Sequence, residues 1–169
     1  MDIINKTYYD KCIKAGMCQK GIDLWNTENA LIDFAKEECE FIINNRPLTH
    51  TEMLSMYNLS LLNSHNAYID QDLDNLIETT GENPTSLFLG CTGIIRLFED
   101  SNIVNIADES KLQVKIFSDG MTTIRLYTGS EIDLFVENIC SVLIFNYGGK
   151  CNIKSAKDFS RITEKIMRK

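Results

Sequence analysis

The chain has 169 residues, 44% of them apolar, only two prolines and a net charge of −7. That is material for one folded domain, or one domain with a small appendage, and it excludes a disordered or collagen-like chain. No basic run followed by an apolar stretch opens the sequence, and no window approaches the roughly 18 to 20 apolar residues of a membrane span. A soluble, cytoplasmic protein with no membrane partner is therefore expected.

In chain order, residues 1–26 read as a short helical entry, with Tyr8, Tyr9, Cys12 and Ile13 at helical spacing and Gly16 and Gly21 as interruptions. Trp25, the only tryptophan, stands just before a helix start and reads as a packing anchor. Thr27 is a candidate N-cap for a helix to about Asn44. Its apolar face is Ala30, Leu31, Phe34, Ala35, Phe41 and Ile42, with Glu37, Glu38 and Glu40 among the rest. Asn45-Arg46-Pro47 ends it, because the residue before a proline is pushed out of helical geometry.

Thr49-His50-Thr51-Glu52 has the form of a capping box. The helix it opens carries Met53, Leu54, Met56, Tyr57, Leu59, Leu61 and Leu62, apolar nearly all round, and is expected to be the most buried helix. His50 and His65 flank it as surface residues. Asp70-Gln71-Asp72-Leu73-Asp74 starts like a calcium loop, but Asn75 stands where the motif needs glycine and Gly81 where it needs glutamate. The stretch reads instead as a third short helix, Asp70 to Thr79, with acids in its first turn and Gly81 and Pro84 closing it.

From Gly93 to about Asn152 one short unit recurs every nine or ten residues, with few exceptions. Its apolar pairs are Ile95/Leu97, Val104/Ile106, Val114/Ile116, Ile124/Leu126, Leu134/Val136, Leu143/Phe145 and Cys151/Ile153. Turn residues separate them at Asp100-Ser101, Glu109-Ser110, Asp119-Gly120, Gly129-Ser130, Glu137-Asn138 and Gly148-Gly149. This is the two-residue period of strands buried on one face, repeated as in a short β-solenoid or a meander. In a solenoid the middle residues Arg96, Asn105, Lys115 and Arg125 would line up as a mostly basic row. Beyond the strands, Ser155-Ala156-Lys157-Asp158 reads as a capping signature. Phe159, Ile162 and Ile166 then form an apolar stripe, and Lys157, Arg161, Lys165 and Arg168 share one face of a C-terminal helix.

The expected fold class is thus α+β: N-terminal helices, then a repetitive β region (short β-solenoid or meander) of six or seven short strands, then a C-terminal helix. The regions are an acidic helical part over 1–84, the β region over 85–154 and a basic amphipathic helix over 155–169, packed as one compact unit. Helices before and after the strands would cap the repeat, and any bare strand edge would recruit a second copy, so a homodimer is a side expectation.

Six cysteines (Cys12, Cys18, Cys39, Cys91, Cys140 and Cys151) include no C-x-x-C pair. Reduced thiols are expected, with Cys39, Cys140 and Cys151 serving as small core side chains. A zinc site drawn from Cys12, Cys18, His50 and His65 is the alternative; no metal and no cofactor is the expectation. There is no G-x-S-x-G elbow, no P-loop, no H-E-x-x-H and no H-x-E with C-x-x-C, so a non-enzymatic role is expected.

Charge is laid out unevenly. Asp23 to Glu82 holds twelve acids against Lys36 and Arg46, a balance of −10, while Lys150 to Lys169 holds seven bases against Asp158 and Glu164, a balance of +5. Such a layout speaks to partners rather than to fold.

The stretch Gly16-Met17-Cys18-Gln19-Lys20-Gly21-Ile22-Asp23-Leu24-Trp25 resembles the A-C-x-x-G-x-x-W box of small proteins encoded by bacteriophages and mobile elements. In that family the box precedes short repeats of the form x-V-x-A-[FY]-D-N-S. Arg96-Leu97-Phe98-Glu99-Asp100-Ser101 and Asn105-Ile106-Ala107-Asp108-Glu109-Ser110 look like divergent copies. Met17 departs from the alanine usual in the box, Trp25 stands one residue beyond the place the box gives it, and the resemblance covers about half of the chain. It implies a phage or mobile-element context, in which small acidic proteins bind and block host machinery, and no catalytic activity.

Charge and resemblance together suggest a non-catalytic binding protein, an inhibitor of a host defence complex such as a CRISPR effector. It would dock through an acidic face of Glu37, Glu38, Asp70, Asp72, Asp74 and Glu78. The partner would be a host protein or ribonucleoprotein complex. The alternative is a nucleic-acid-binding protein, RNA foremost, using Arg96, Lys115, Arg125, Lys157, Arg161, Lys165 and Arg168.

Overall fold

The computed structural model describes residues 3–25, 29–73 and 85–167. The chain forms two compact units, Met1–Ala67 and Tyr68–Lys169.

The first unit is helical: α1 (Ile3–Lys14), α2 (Gln19–Leu24), α3 (Ala30–Glu37), α4 (Cys39–Asn45), α5 (His50–Met56) and α6 (Leu59–Ser64). The expected helix to Asn44 is two helices broken at Glu38 (φ −109°, ψ 37°). Its end comes before Pro47, where Arg46 turns left-handed at φ 48°. The candidate cap Thr27 lies outside the described residues.

The capping box at Thr49 is present: Glu52 N donates to Thr49 Oγ1 at 3.2 Å, and Thr49 N donates to Glu52 Oε2 at 2.9 Å. The helix it opens stops at Met56, because Asn58 starts another by accepting from Leu61 N at 2.8 Å. Nor is this the most buried helix. That is α3, with Ala30, Leu31, Ile32, Phe34 and Ala35 all buried, whereas α5 and α6 bury only Met53 and Leu62. No helix among the described residues is long and apolar enough to cross a membrane.

In the stretch Gly16–Trp25, Gly21 and Trp25 are packing residues. Gly21 lies inside α2, and a Cβ there would stand 2.6 Å from Met17 Cγ and 2.7 Å from Phe34 Cε2. Trp25, at the C-cap of α2, meets Tyr9 edge-on at 5.4 Å between ring centroids and tilts against Phe34 at 6.1 Å.

The second unit is a parallel β-solenoid with eleven strands among the described residues, more than the six or seven expected. They are β1 (Ala67–Ile69), β2 (Asp72–Leu73), β3 (Thr85–Leu89), β4 (Thr92–Leu97), β5 (Asn102–Ala107), β6 (Lys111–Ile116), β7 (Met121–Tyr127), β8 (Glu131–Val136), β9 (Ser141–Tyr147), β10 (Lys150–Ala156) and β11 (Arg161–Ile166). Odd strands form a six-stranded sheet, β1-β3-β5-β7-β9-β11; even strands form a five-stranded one, β10-β8-β6-β4-β2. Each strand therefore pairs with the next but one. Thr122 stands beside Val142, which stands beside Ile162, twenty residues apart each time.

One turn of the solenoid is thus two of the ten-residue units read from the sequence. Inward positions stack Val104, Ile124 and Ile144 against Val114 and Leu134 in a single core. Each such side chain contributes about 1.5–3 kcal/mol by leaving water.

The corners repeat as well. Left-handed residues recur at Asp70 (φ 49°), Gly90 (65°), Glu109 (62°), Gly129 (87°) and Gly148 (101°), where odd strands pass into even ones. Gly93 (φ 108°) is obligatory for another reason: a Cβ there would lie 2.7 Å from the Leu73 carbonyl of the neighbouring strand.

Four expectations are corrected here. Ser155 onward is not a helix: β11 pairs with β9, Arg161 beside Ser141 and Lys165 beside Phe145. Ile162 and Ile166 suit both a helical stripe and a two-residue alternation. The strand wins because β9 offers it a ladder of backbone partners, while an isolated helix of this length is marginal in water.

The expected helix from Asp70 begins instead as a left-handed corner and then β2; residues 74–79 are outside the described set. The core pair of β9 is Val142/Ile144, not Leu143/Phe145, because the run Val142-Leu143-Ile144-Phe145 is apolar throughout and alternation cannot set its phase. Finally, the basic row divides. Arg96 stands beside Lys115 on the five-stranded sheet, and Asn105 beside Arg125 on the six-stranded one.

Candidate functional site

Strand geometry decides which charged side chains can act together, since alternate residues face opposite sides and neighbours in a column are one strand apart. On the six-stranded sheet, the outer positions of β7, β9 and β11 form four columns. They are Met121–Ser141–Arg161, Thr123–Leu143–Thr163, Arg125–Phe145–Lys165 and Tyr127–Tyr147. They hold three cations, three aromatic rings and no carboxylate.

Lys165 Nζ sits 5.7 Å from the centroid of the Phe145 ring, and Tyr127 stacks on Tyr147 at 4.9 Å. Phe145, Tyr147 and Arg125 are half-buried, and Arg161 and Lys165 are exposed. None of the three cations has an ion-pair partner among the described residues.

The five-stranded sheet contrasts with this. Its outer column Asp72–Thr92–Lys111–Glu131–Lys150 mixes signs, and the next one carries Asp133 beside Asn152. Lys150 Nζ lies 2.6 Å from Glu131 Oε1 and Lys154 Nζ 3.3 Å from Asp133 Oδ1, while Asn152 Nδ2 donates to both carboxylates at 2.9 Å. The hydrogen bond from Lys150 lowers the Glu131 pKa, and the one from Asn152 lowers that of Asp133. A shallow depression of about 380 Å3 opens beside Gly93, Lys111 and these two acids. Its two carboxylates are already held by Lys150, Asn152 and Lys154.

The predicted acidic face is divided between the units. Glu37 and Glu38 belong to the helical unit, where Lys20 Nζ stands 3.8 and 3.0 Å from their carboxylates. Asp70 and Asp72 belong to the solenoid, and Asp72 accepts from Thr92 Oγ1 at 3.1 Å. Asp74 and Glu78 lie outside the described residues.

Of the predicted cations, Arg125, Arg161 and Lys165 share one face. Arg96 and Lys115 share the other sheet, where Lys115 Nζ sits 5.5 Å from the Phe135 centroid. Lys157 is exposed at the corner between β10 and β11, and Arg168 lies outside the described residues. The aromatic members of the face escaped the sequence reading. Phe145 was assigned to the core, and Tyr127 and Tyr147 show only as a pair twenty residues apart.

All six cysteines are free thiols, and no group of three or more His, Cys, Asp or Glu is placed to hold a metal among the described residues. Burial pushes the Cys12, Cys91 and Cys151 thiols up to about 11. No protein-family model, curated protein or solved structure matches the chain.

Proposed function

We propose that this chain is a non-catalytic binding protein that presents the outer face of β7, β9 and β11 to single-stranded nucleic acid, RNA foremost. The observation that supports this reading is the acid-free composition of that face in a protein whose net charge is −7. Unpaired cations at regular strand spacing attract a phosphate backbone by releasing its counterions. The partly exposed rings of Phe145 and Tyr147 beside them give bases a surface on which to stack, with Tyr127 buried behind Tyr147, and stacking is worth about 1–3 kcal/mol per base. A face of this kind would act on a host ribonucleoprotein by competing for its RNA. That joins this reading to the phage-like box and to the inhibitor role it implies. The acidic side chains carry less support, because Lys20 stands beside Glu37 and Glu38, and Asp72 accepts from Thr92.

The test is fluorescence anisotropy of a labelled single-stranded oligouridine, titrated at several salt concentrations. Affinity that falls steeply with salt, and falls further in Arg125→Ala and Phe145→Ala, is the expected result. A flat titration at low salt rejects the reading.

A further inference from the structure

The last turn of the solenoid differs from all the others in what its inward side chains meet. In β5 to β9 the core-facing apolar residues are buried, at 3% exposure or less. In β10 and β11 Cys151 and Ile162 still pack against the core, but Ile153, beside Leu134, is 52% exposed, and Ile166, beside Asn146, is 67% exposed. Phe159, at the corner between them, is 89% exposed.

The backbone is open as well. β11 pairs only with β9 and is the edge of its sheet. Arg161 N donates to Cys140 O at 3.0 Å and Met167 N to Asn146 O at 2.8 Å, so the odd residues of β11 face β9. In a parallel strand both backbone groups of a residue point the same way, so Ile162, Glu164 and Ile166 aim theirs at the free edge.

We infer that this edge accepts an extended acidic segment from a partner, added in parallel as the next strand of the six-stranded sheet. Such a strand would bury Ile162 and Ile166 under its own apolar residues and pair the open backbone groups. Its outward side chains would fall beside Arg161, Thr163 and Lys165, which is why they are acidic. A second copy of this chain is disfavoured as occupant, because the turn carries Lys157, Arg161 and Lys165 as cations with no ion-pair partner among the described residues, and like charges would meet. On β10 the cations Lys150 and Lys154 are already held by Glu131 and Asp133, so charge selects β11 over β10. The inference concerns the edge and its backbone; it does not depend on nucleic acid binding the outer face.

The probe is a short synthetic peptide alternating glutamate with valine, compared by calorimetry with its lysine/valine counterpart. The acidic peptide is expected to bind the whole chain one to one and about tenfold or more tighter than the basic one. Ile166→Pro, which removes an N–H the β9 ladder does not use, should abolish binding while leaving the circular dichroism unchanged. Arg161→Glu with Lys165→Glu should reverse the preference between the two peptides without touching the core. Equal affinity for both peptides, no binding by either, or a folded Ile166→Pro variant that binds as before overturns the inference. So does a dimer in sedimentation velocity that the acidic peptide fails to dissociate.

Discussion

Lys165 and Phe145 are neighbours across the β9–β11 ladder, with the ammonium 5.7 Å from the ring centroid. Lys115 and Phe135 repeat the arrangement on the other sheet at 5.5 Å. The two pairs have the same local chemistry, and what separates them is the company they keep. Phe145 also adjoins Arg125 and no acid, whereas the strand of Phe135 carries Glu131 and Asp133 on the same face. Lys165→Ala is therefore expected to weaken binding of single-stranded RNA several-fold and to lower the salt slope by about one. Lys115→Ala should leave both unchanged. Anisotropy titrations of the two variants at matched salt check this, and equal losses would remove the assignment of the site to one sheet.

The corrected phase of β9 makes a separate claim. Ile144 is fully buried in the core, while Leu143 is half-buried on the outer face. Ile144→Ala should cost about 2–5 kcal/mol in urea unfolding, and Leu143→Ala distinctly less. The reverse order would restore the phase read from the sequence.

Much of the solenoid was legible because its rule is local. Apolar pairs such as Val114/Ile116 and Leu134/Val136, and turns such as Gly129-Ser130, state the strand and corner positions one by one. That two units make one turn is not local: Arg125 meets Phe145 rather than Lys115, and only the alternation between sheets decides it. The terminal helix failed for a related reason. Ile162 and Ile166 fit either period, and the deciding partner, β9, lies twenty residues upstream. The face of β7, β9 and β11 was half visible. The sequence singles out its cations Arg125, Arg161 and Lys165 but assigns them to different elements, and of its rings Phe145 is hidden inside the unbroken apolar run Val142–Phe145.

Thiol reactivity separates the cysteines by environment. Cys18 is exposed, while desolvation raises Cys12, Cys91 and Cys151 to about 11. At pH 8 iodoacetamide should label Cys18 first and give one dominant adduct by mass spectrometry, because the thiolate is the reactive form. Cys151 is the informative case: it is only half-buried, so its labelling should accelerate as the pH approaches 11, whereas Cys12 and Cys91 should wait for unfolding. Rapid labelling of Cys91 in the folded chain would contradict its place in the core.

Acid should act on the ladder of the five-stranded sheet. Glu131 is lowered first by its hydrogen bond from Lys150, and Asp133 by its hydrogen bond from Asn152. A carboxylate whose folded pKa lies below its unfolded one stabilises the fold above the unfolded value, about 4. That contribution is lost as the pH falls from there through the folded value. The melting temperature should thus drop between about pH 5 and pH 2, and Glu131→Gln should flatten part of the drop while changing little at pH 7. Both groups are partly exposed and screened by water, so the effect is small, and an unchanged profile in Glu131→Gln would show that other carboxylates dominate acid unfolding.

In the stretch Gly16–Trp25 close packing accounts for Gly21, and a substitution there tests this. A methyl group there meets Met17 Cγ at 2.6 Å and Phe34 Cε2 at 2.7 Å, and Phe34 is fully buried and cannot swing clear. Gly21→Ala should destabilise the helical unit by about 1–3 kcal/mol through overpacking, even though alanine favours a helix more than glycine does. Because Phe34 also touches Trp25, the only tryptophan, the variant should shift the emission of that residue. Unfolding followed by Trp25 fluorescence would then move to lower denaturant. If Gly21→Ala were instead neutral or stabilising, helix propensity would outweigh the close approach, and the glycine of the box would need another reason.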